Sequence, residues 1–253
     1  SRFVEAGVDV SQLYRTNRTN TTLAFVSLTE EGDRDFIFYR NPGPDELLRP
    51  GELDYTEFGY ARLFHFGSLL LTRRESRKVT EKAIEASLSK GLTVSMDPNI
   101  RLNLWCDHSR ARKLVRTFLR KVDIVKLSEE EVYFLTGEDD LETGTEKLAG
   151  LGPDPVVVTL GKRGCLVRWK DRITELEGFS VKVKDTTGAG DGFMAGFLHR
   201  LMENTEDLSA INREDLLESL RFGNATGALT TTDYGATSAF PAPAKVEQLL
   251  SDF

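Results

Sequence analysis

One stretch of the chain, residues 185–198, combines residue types and spacings that can do chemistry: Asp-Thr-Thr-Gly-Ala-Gly-Asp-Gly-Phe-Met-Ala-Gly-Phe-Leu. Its first half is small and glycine-rich, and its second half places Phe193 and Phe197 at helical spacing. The pattern predicts a tight loop leading into a buried helix, whose first N–H groups and dipole attract an anion. Asp191 would repel a phosphate there unless it accepts a proton or a hydrogen bond from an attacking hydroxyl, which indicates phosphoryl transfer.

The alternative is an ordinary glycine-rich helix start that is capped by an aspartate. Two other phosphate-binding motifs do not fit the stretch. Phe193 stands where a dinucleotide fingerprint has its third glycine, and the Gly-Lys-Ser/Thr ending of a P-loop is missing. The fourteen-residue string as a whole favours the catalytic interpretation.

The composition is that of a globular α/β protein. The 253 residues are 40% hydrophobic and 29% charged, with a net charge of −7. No apolar run reaches the ~18–20 residues of a membrane span, no signal peptide opens the chain, and no basic block stands out, so we expect neither membrane nor nucleic acid as a partner. Cys106 and Cys165 show no metal spacing, and two packed thiols predict a cytoplasmic protein.

The N-terminal part of the chain predicts a β-hairpin. Residues 21–28 and 34–40 alternate β-branched and aromatic side chains around a turn at 30–33. Both faces carry apolar residues, so we expect one face to close over a ligand and the other to meet a second subunit. The hairpin is predicted to form part of a lid at residues 9–44, followed by an α/β domain at residues 45–253.

Strands and helices alternate in the larger region. The predicted strands are 62–66, 92–96, 123–127, 155–160 and 165–169, and the predicted helices include 73–90, 104–121 and 213–231. Ligands bind at the carboxyl ends of parallel strands, so Asp97-Pro-Asn-Ile-Arg101 is a candidate site, with an ordinary polar loop as the alternative. His108 lies on an apolar stripe and is expected in the core. Ser128 and Glu131 match a capping box.

The string at 185–198 resembles the C-terminal signature of the ribokinase-like (PfkB) carbohydrate kinases, and the resemblance extends over essentially the whole chain. It implies an α/β fold, a three-layer α/β/α domain with a mostly parallel central sheet and a small β-sheet lid. It also implies transfer of the γ-phosphoryl of ATP to a sugar hydroxyl. Asp-Pro-Asn-x-Arg together with Phe-Tyr-Arg at 38–40 is most similar to fructokinases, which implies conversion of fructose to fructose 6-phosphate. A 2-keto-3-deoxygluconate kinase, a ribokinase or an inactive interaction subunit of ribokinase fold are the alternatives.

The resemblance implies a role for each matching residue. Asp191 is the base, and the N–H groups of Gly188, Ala189 and Gly190 hold the phosphoryl group. The implied sugar contacts are Asp97, Asn99, Arg101, Arg40 and Tyr39. The implied ATP contacts are Thr159, Gly161, Gly164, Thr187, Gly188, Gly190, Asn224 and Ala228.

The implied cofactors are ATP and Mg²⁺, and K⁺ is left open. Glu131 is expected in the outer shell of the magnesium ion, although Ser128 stands where the family has asparagine. A homodimer through the lid is expected. The resemblance also implies a preceding segment that holds the first central strand and part of the sugar site, so we expect residues 1–8 to be the end of a helix in a truncated N-terminal part.

Overall fold

The structure, a computed structural model, describes residues 2–28, 34–40, 42–207 and 210–253. The chain divides into two compact units, residues 1–62 with 69–92 and residues 63–68 with 93–253. The predicted hairpin turn at 30–33 lies outside the described residues.

The first unit contains the predicted hairpin and one long helix. Helix α1 spans Arg2–Glu5, and strands β1 (Leu23–Leu28) and β2 (Arg34–Tyr39) pair antiparallel, with Leu23 opposite Tyr39. Short 3-10 turns follow at Pro44–Leu47, Pro50–Glu52 and Glu57–Tyr60. Helix α2 (Arg74–Ser89) buries one stripe, including Val79, Ala83 and Ile84, and the chain leaves it through Gly91 at φ +72°. This left-handed glycine ends the helix, close to the predicted end at residue 90.

The second unit is built on a six-stranded sheet. Its strands lie in chain order: β3 (Leu63–Phe66), β4 (Thr93–Met96), β5 (Ile124–Ser128), β6 (Val156–Thr159), β7 (Gly164–Trp169) and β8 (Arg172–Glu177). The first four are parallel, whereas β7 and β8 are added antiparallel. The mostly parallel sheet is confirmed, but β8 was not predicted.

Helices cover both faces of this sheet, which confirms the expected layered α/β fold. They are α3 (His108–Leu119), α4 (Glu129–Thr136), α5 (Leu141–Ala149), α6 (Ala189–Asn204), α7 (Arg213–Thr230) and α8 (Pro243–Ser251). Ile124 and Val157 pack with Phe193, Phe197 and other residues of α6 and α7. The alternating residues of the same strands, such as Val125 and Val158, are equally buried, so the opposite face is covered as well.

Two sequence predictions near α3 are wrong. The helix begins at His108 rather than at residue 104, because the Asp107 carboxylate accepts hydrogen bonds from the N–H groups of Ser109 (2.9 Å) and Arg110 (3.1 Å) and caps it. His108 therefore lies in the exposed first turn and not in the core. Cys106, just before the cap, is exposed, so the prediction of a packed thiol is wrong there, whereas Cys165 is buried as predicted.

Among the helices in the described part of the chain, none has both the length and the apolar character needed to cross a membrane.

Candidate active site

Asp97 and Lys126 form the centre of the candidate site. In the parallel pair β4–β5, Ser95 lies opposite Ile124 and Met96 opposite Val125, so the next residues, Asp97 and Lys126, are neighbours on one face. The Lys126 ammonium donates to Asp97 Oδ2 at 2.8 Å, and both side chains are 7% exposed. The other carboxylate oxygen, Oδ1, is buried without a hydrogen-bond partner in the structure. An orphaned buried acceptor is costly, which indicates a place for a ligand hydroxyl.

The loop after Asp97 is held in a defined shape. Asn99 has φ +45°, in the left-handed region that asparagine tolerates better than most residues. The Ile100 N–H donates to Glu131 Oε1 at 2.7 Å. Gly67 passes so close that a Cβ there would lie 3.1 Å from the Asp97 carbonyl oxygen. The loop is thus fixed from two sides.

Glu131 joins this loop to the start of α4. Its Oε2 accepts the Ser128 N–H at 2.9 Å, while Ser128 Oγ accepts the Glu131 N–H at 3.3 Å, which confirms the predicted capping box. Burial, and next the charge of Asp97, raise the pKa of Glu131. Glu131 therefore orders the site through backbone hydrogen bonds at both carboxylate oxygens.

The turn at the start of α6 has the predicted form, a tight glycine-rich loop that leads directly into the helix. Gly188 is the N-cap in the left-handed region at φ +80°, and a Cβ there would lie 3.0 Å from Ala236 Cα, so only glycine fits. The carboxylate of Asp185 anchors the turn: it accepts from the N–H of Thr187 (2.9 Å) and from its hydroxyl (2.7 Å), and from the Gly235 N–H (3.1 Å). Sequence analysis gave Asp185 no role.

Of the three predicted N–H donors, that of Ala189 is engaged within the turn, since it donates to the Thr186 carbonyl at 3.2 Å. A Cβ on Gly190 would lie 3.0 Å from Lys126 Nζ. The turn thus lies directly against the buried lysine. Lys126 was missed by sequence analysis, although a lysine within an apolar strand is itself an unusual signal.

Asp191, in the first turn of α6, is an exposed residue. The surrounding protein nevertheless raises its pKa, first by removing water and second through the nearby Asp97 charge. Lys126, Arg101 and His65 act in the opposite direction. His65 is held by a 2.8 Å hydrogen bond between its Nδ1 and Ser95 Oγ, and burial lowers its pKa. Asp191 is therefore an accessible carboxyl group, and its raised pKa makes its carboxylate a stronger base than that of an ordinary aspartate.

A pocket of about 310 Å³ opens beside these groups. It is lined by the loop after β4, the end of β5 and the start of α4: Asn99, Ile100, Arg101, Leu102, Lys126, Ser128, Glu130, Glu131 and Phe134. The structure thus brings together predicted residues from separate parts of the sequence.

The remaining predicted nucleotide residues lie near the end of β6 and along α7. Thr159 donates to the Leu127 carbonyl (3.2 Å) at the end of β6, and Gly161 follows at φ +59°. Gly164 lies against the end of β8, where a Cβ would be 2.1 Å from the Leu176 carbonyl oxygen, and Asn224 donates to that same oxygen at 3.4 Å. Packing alone therefore explains Gly164. Ala228 accepts from the Thr231 N–H and hydroxyl at the end of α7.

Two predicted sugar contacts lie in the first unit. The Arg40 guanidinium forms ion pairs with Asp45 and, at 3.5 Å, with Glu46, and its side chain is 5% exposed. Tyr39 is 68% exposed and packs edge-to-face on Phe25, with 5.6 Å between ring centroids. Arg40 thus has a structural partner in its own unit, and its role towards a sugar stays a prediction.

Comparison with known proteins finds fructokinases among the relatives of this chain. Probable fructokinase-4 of Arabidopsis thaliana is 38% identical over 245 residues, which are 96% of this chain and 74% of that protein. Probable fructokinase-6, chloroplastic, of the same plant is 42% identical over 233 residues, 91% of this chain but only 60% of that protein. The chain therefore spans about three fifths to three quarters of the length of these relatives.

Solved structures agree in fold. The fructokinase of Xylella fastidiosa with bound ATP has a TM-score of 0.91 at 31% identity, covering 99% of this chain and 79% of its own. A double mutant of the Vibrio cholerae O395 fructokinase, with fructose, ADP and a potassium ion, has a TM-score of 0.89 at 32% identity, covering 98% and 79%. Residues 1–243 match the pfkB family carbohydrate kinases. This chain belongs to the pfkB family of carbohydrate kinases.

Proposed function

We propose that the protein is an ATP-dependent fructokinase that converts fructose to fructose 6-phosphate. The observation that carries the proposal is Asp191 in the first turn of α6, beside the Gly188–Gly190 turn and facing Asp97, Lys126 and Arg101. The fructokinases described above support fructose as the acceptor.

Asp191 is the general base of the proposed reaction. A bond forms between the sugar oxygen and the γ-phosphorus of ATP, the bond from that phosphorus to the β–γ bridging oxygen breaks, and the sugar proton passes to the Asp191 carboxylate. An aspartate has an ordinary pKa of about 3.9, so the environment that raises it makes Asp191 a better acceptor. General-base action accounts for about 10²–10⁴ in rate, and positioning and fixed charge account for the rest.

The turn before Asp191 binds the phosphoryl group in this proposal. The N–H groups of Gly188 and Gly190 and the dipole of α6 supply positive charge without side chains. The Ala189 N–H contributes less, because it already donates to Thr186. Thr187, the turn at residues 159–164 and the α7 segment at residues 224–228 are proposed to border the nucleotide.

The acceptor sugar is proposed to lie against the loop after β4. Asp97 Oδ1 is a buried acceptor without a partner in the structure, which suits a sugar hydroxyl. Asn99 and Arg101 line the adjoining pocket and offer donors. Arg40 and Tyr39 remain proposed contacts from the lid.

A divalent cation, proposed to be Mg²⁺, would offset the negative charge of the phosphates. Within the described residues, no three His, Cys, Asp or Glu side chains form a metal cluster, so the protein fits an outer-shell role better than direct ligation. Glu131 suits that role, because each carboxylate oxygen that accepts a backbone N–H keeps a further lone pair. The potassium ion of the Vibrio cholerae structure makes K⁺ a candidate here too.

The hairpin β1–β2 is proposed to pair two copies of the chain. Its side chains Leu23, Phe25, Val26, Ile37 and Tyr39 are 45–68% exposed, an apolar surface that favours burial. Sedimentation of the full-length protein and an Ile37→Glu variant tests this: a dimer that dissociates supports it, and an unchanged monomer rejects it. The cytoplasmic location stays a prediction from composition.

The proposed activity is tested by ADP release from the purified full-length protein with ATP, Mg²⁺ and, in turn, fructose, ribose, 2-keto-3-deoxygluconate and adenosine. We expect turnover with fructose, and loss of about 10²–10⁴ in kcat for Asp191→Asn with ADP binding retained. Preference for another acceptor would change the assigned substrate and leave the proposed mechanism unchanged. Absence of turnover with every acceptor would reject the proposed function.

A further inference from the structure

Lys126 is a buried charge at the centre of the sheet. It is 6% exposed, between Val125 and Leu127, which are fully buried. A lysine in this setting is costly unless it is paired, and the 2.8 Å contact with Asp97 provides the partner. An ion pair kept at this place in an apolar strand calls for an explanation beyond packing.

The direction of the side chain supplies that explanation. Lys126 shares its strand face with Ile124, which packs on the α6 side of the sheet. There its Nζ lies 3.0 Å from where a Cβ of Gly190 would be. The ammonium therefore reaches the backbone of the turn that is proposed to hold the phosphoryl group.

The charges around Asp191 give the lysine a second effect. The charged and titratable groups that act on Asp191 are Asp97, Lys126, Arg101 and His65. Lys126 favours the ionised form of Asp191, and Asp97 opposes it. A desolvated cation that is already in place stabilises developing negative charge better than a solvated one, because nothing has to reorganise during the reaction.

We propose that Lys126 is a further catalytic residue, whose ammonium contacts the transferring phosphoryl group from the Gly190 side, and that Asp97 is the positioning residue that holds it there. The proposal rests on the phosphoryl transfer proposed above. The competing explanation is a purely structural ion pair.

The test compares Lys126→Met and Lys126→Arg with Arg168→Met in the full-length protein. Arg168 is a matched control, a buried cation in β7 that donates to Thr145 Oγ1 (3.1 Å) and the Glu142 carbonyl (2.9 Å). Lys126→Met should lower kcat about 10²-fold with little change in KM for the sugar. Lys126→Arg, which keeps the charge, should recover part of kcat. Arg168→Met should lower Tm and leave kcat unchanged.

The pH profile separates catalysis from structure. Loss of Lys126 should move the acidic limb of kcat/KM to higher pH by about one unit, whereas Asp97→Asn should lower kcat and move that limb to lower pH. A damaged fold would not shift the limb in opposite directions for the two variants. If Lys126→Met does not fold, the test uses the other two variants. The acidic limb of kcat/KM should then stay in place in Lys126→Arg and move to lower pH in Asp97→Asn.

The outcomes distinguish the two proposals. A wild-type protein without turnover would reject the proposed function itself. An active wild type with normal kcat in Lys126→Met, a kcat loss that Arg168→Met reproduces, or limbs that move together would reject the role of Lys126 alone.

Discussion

In the proposed reaction, Asp191 has to be both ionised and basic, and its neighbours act on these two properties in opposite directions. Removal of water and the Asp97 charge raise its pKa, while Lys126, Arg101 and His65 lower it. A raised pKa brings the carboxylate closer to an alcohol in basicity, but protonates it sooner as the pH falls. The balance fixes the lower end of the pH range in which the protein can work.

This balance predicts the acidic limb of the activity profile. Below the raised pKa, Asp191 is protonated and cannot accept the sugar proton, so kcat/KM should fall with the pH through a midpoint above the ordinary Asp value of 3.8. Initial rates across the acidic range measure the midpoint. ADP binding over the same range is the control, because it does not need Asp191 ionised. A limb at or below the ordinary value would contradict the environment described here.

The position of Lys126 could not be predicted from the sequence, whereas that of Asp191 could. Residues 185–198 predicted Asp191 and its turn because glycines and a carboxylate at that spacing have few other uses. Lys126 stands in the apolar run Ile-Val-Lys-Leu, and a lysine there is compatible with an exposed strand position. Only the strand register, which sets Asp97 beside Lys126, reveals the pair.

At the scale of elements, α6 and α7 pack closely through glycines. A Cβ on Gly196 would lie 2.3 Å from Thr226 Oγ1, and one on Gly192 would lie 2.4 Å from Thr230 Oγ1. These contacts explain why the stretch 223–228 of α7 is rich in small residues. The packing holds the start of α6, and with it Asp191, against the sheet.

Gly196→Ala is therefore expected to destabilise the protein. The gain in helix propensity, about 1 kcal/mol, is offset by overpacking of about 1–3 kcal/mol, since the Cβ also meets Thr226 Cβ at 2.7 Å. The urea midpoint should fall, and Thr226→Ala in the same chain should restore part of it. Gly150→Ala, where the nearest atom is 3.5 Å away, is the control and should be neutral. If Gly196→Ala left the urea midpoint as unchanged as Gly150→Ala does, α6 and α7 would have room to move apart.

The start of α4 makes a second prediction. Ser128 Oγ caps the helix through the Glu131 N–H at 3.3 Å. Ser128→Ala should cost about 0.5–2 kcal/mol, whereas Ser128→Asn, which supplies the residue expected from the family, should keep the cap and the stability. Thermal unfolding of the two variants measures the difference. If alanine and asparagine behaved alike, the serine hydroxyl would not be the group that holds this helix.

The element boundaries differ in how far sequence could predict them. The capping box at Ser128 and the left-handed Gly91 were predictable because they use short-range chemistry. Helix α3 was extended too far because Leu104 fits the apolar stripe, while the Asp107 cap that starts the helix was overlooked. Strand β8 was missed because Arg-Ile-Thr-Glu-Leu-Glu is half charged, and its pairing with β7 is a tertiary fact.

At the scale of the molecule, the groups proposed to act in the reaction all belong to the second unit. Asp97 and Lys126 come from two strand ends, Glu131 and Asp191 come from two helix starts, and the parallel order of β4 and β5 makes the convergence possible. Their meeting follows from sheet order, which periodicity along the chain cannot supply. The resemblance of residues 185–198 to a family implied a mostly parallel sheet, but the strand order itself came from the structure.

The two cysteines give a readout of the integrity of the second unit. Cys165 lies in β7 at 0% exposure, and burial raises the pKa of its thiol to about 12, whereas Cys106 is exposed before α3. Because the thiolate is the reactive form, a thiol reagent at mildly alkaline pH should modify Cys106 in the folded protein and leave Cys165 intact. Peptide mapping assigns each site.

The same reagent applied during a urea titration should modify Cys165 along the transition seen by circular dichroism. Its strand is paired on both sides, by β6 and β8, so exposure requires these pairings to open together. Cys106→Ser keeps the background low, and Cys165→Ser confirms the assignment. Modification of Cys165 well before the transition would show that β7 and β8 open separately from the parallel strands. The proposed nucleotide turn at residues 159–164 would then be more mobile than the Asp97–Lys126 centre.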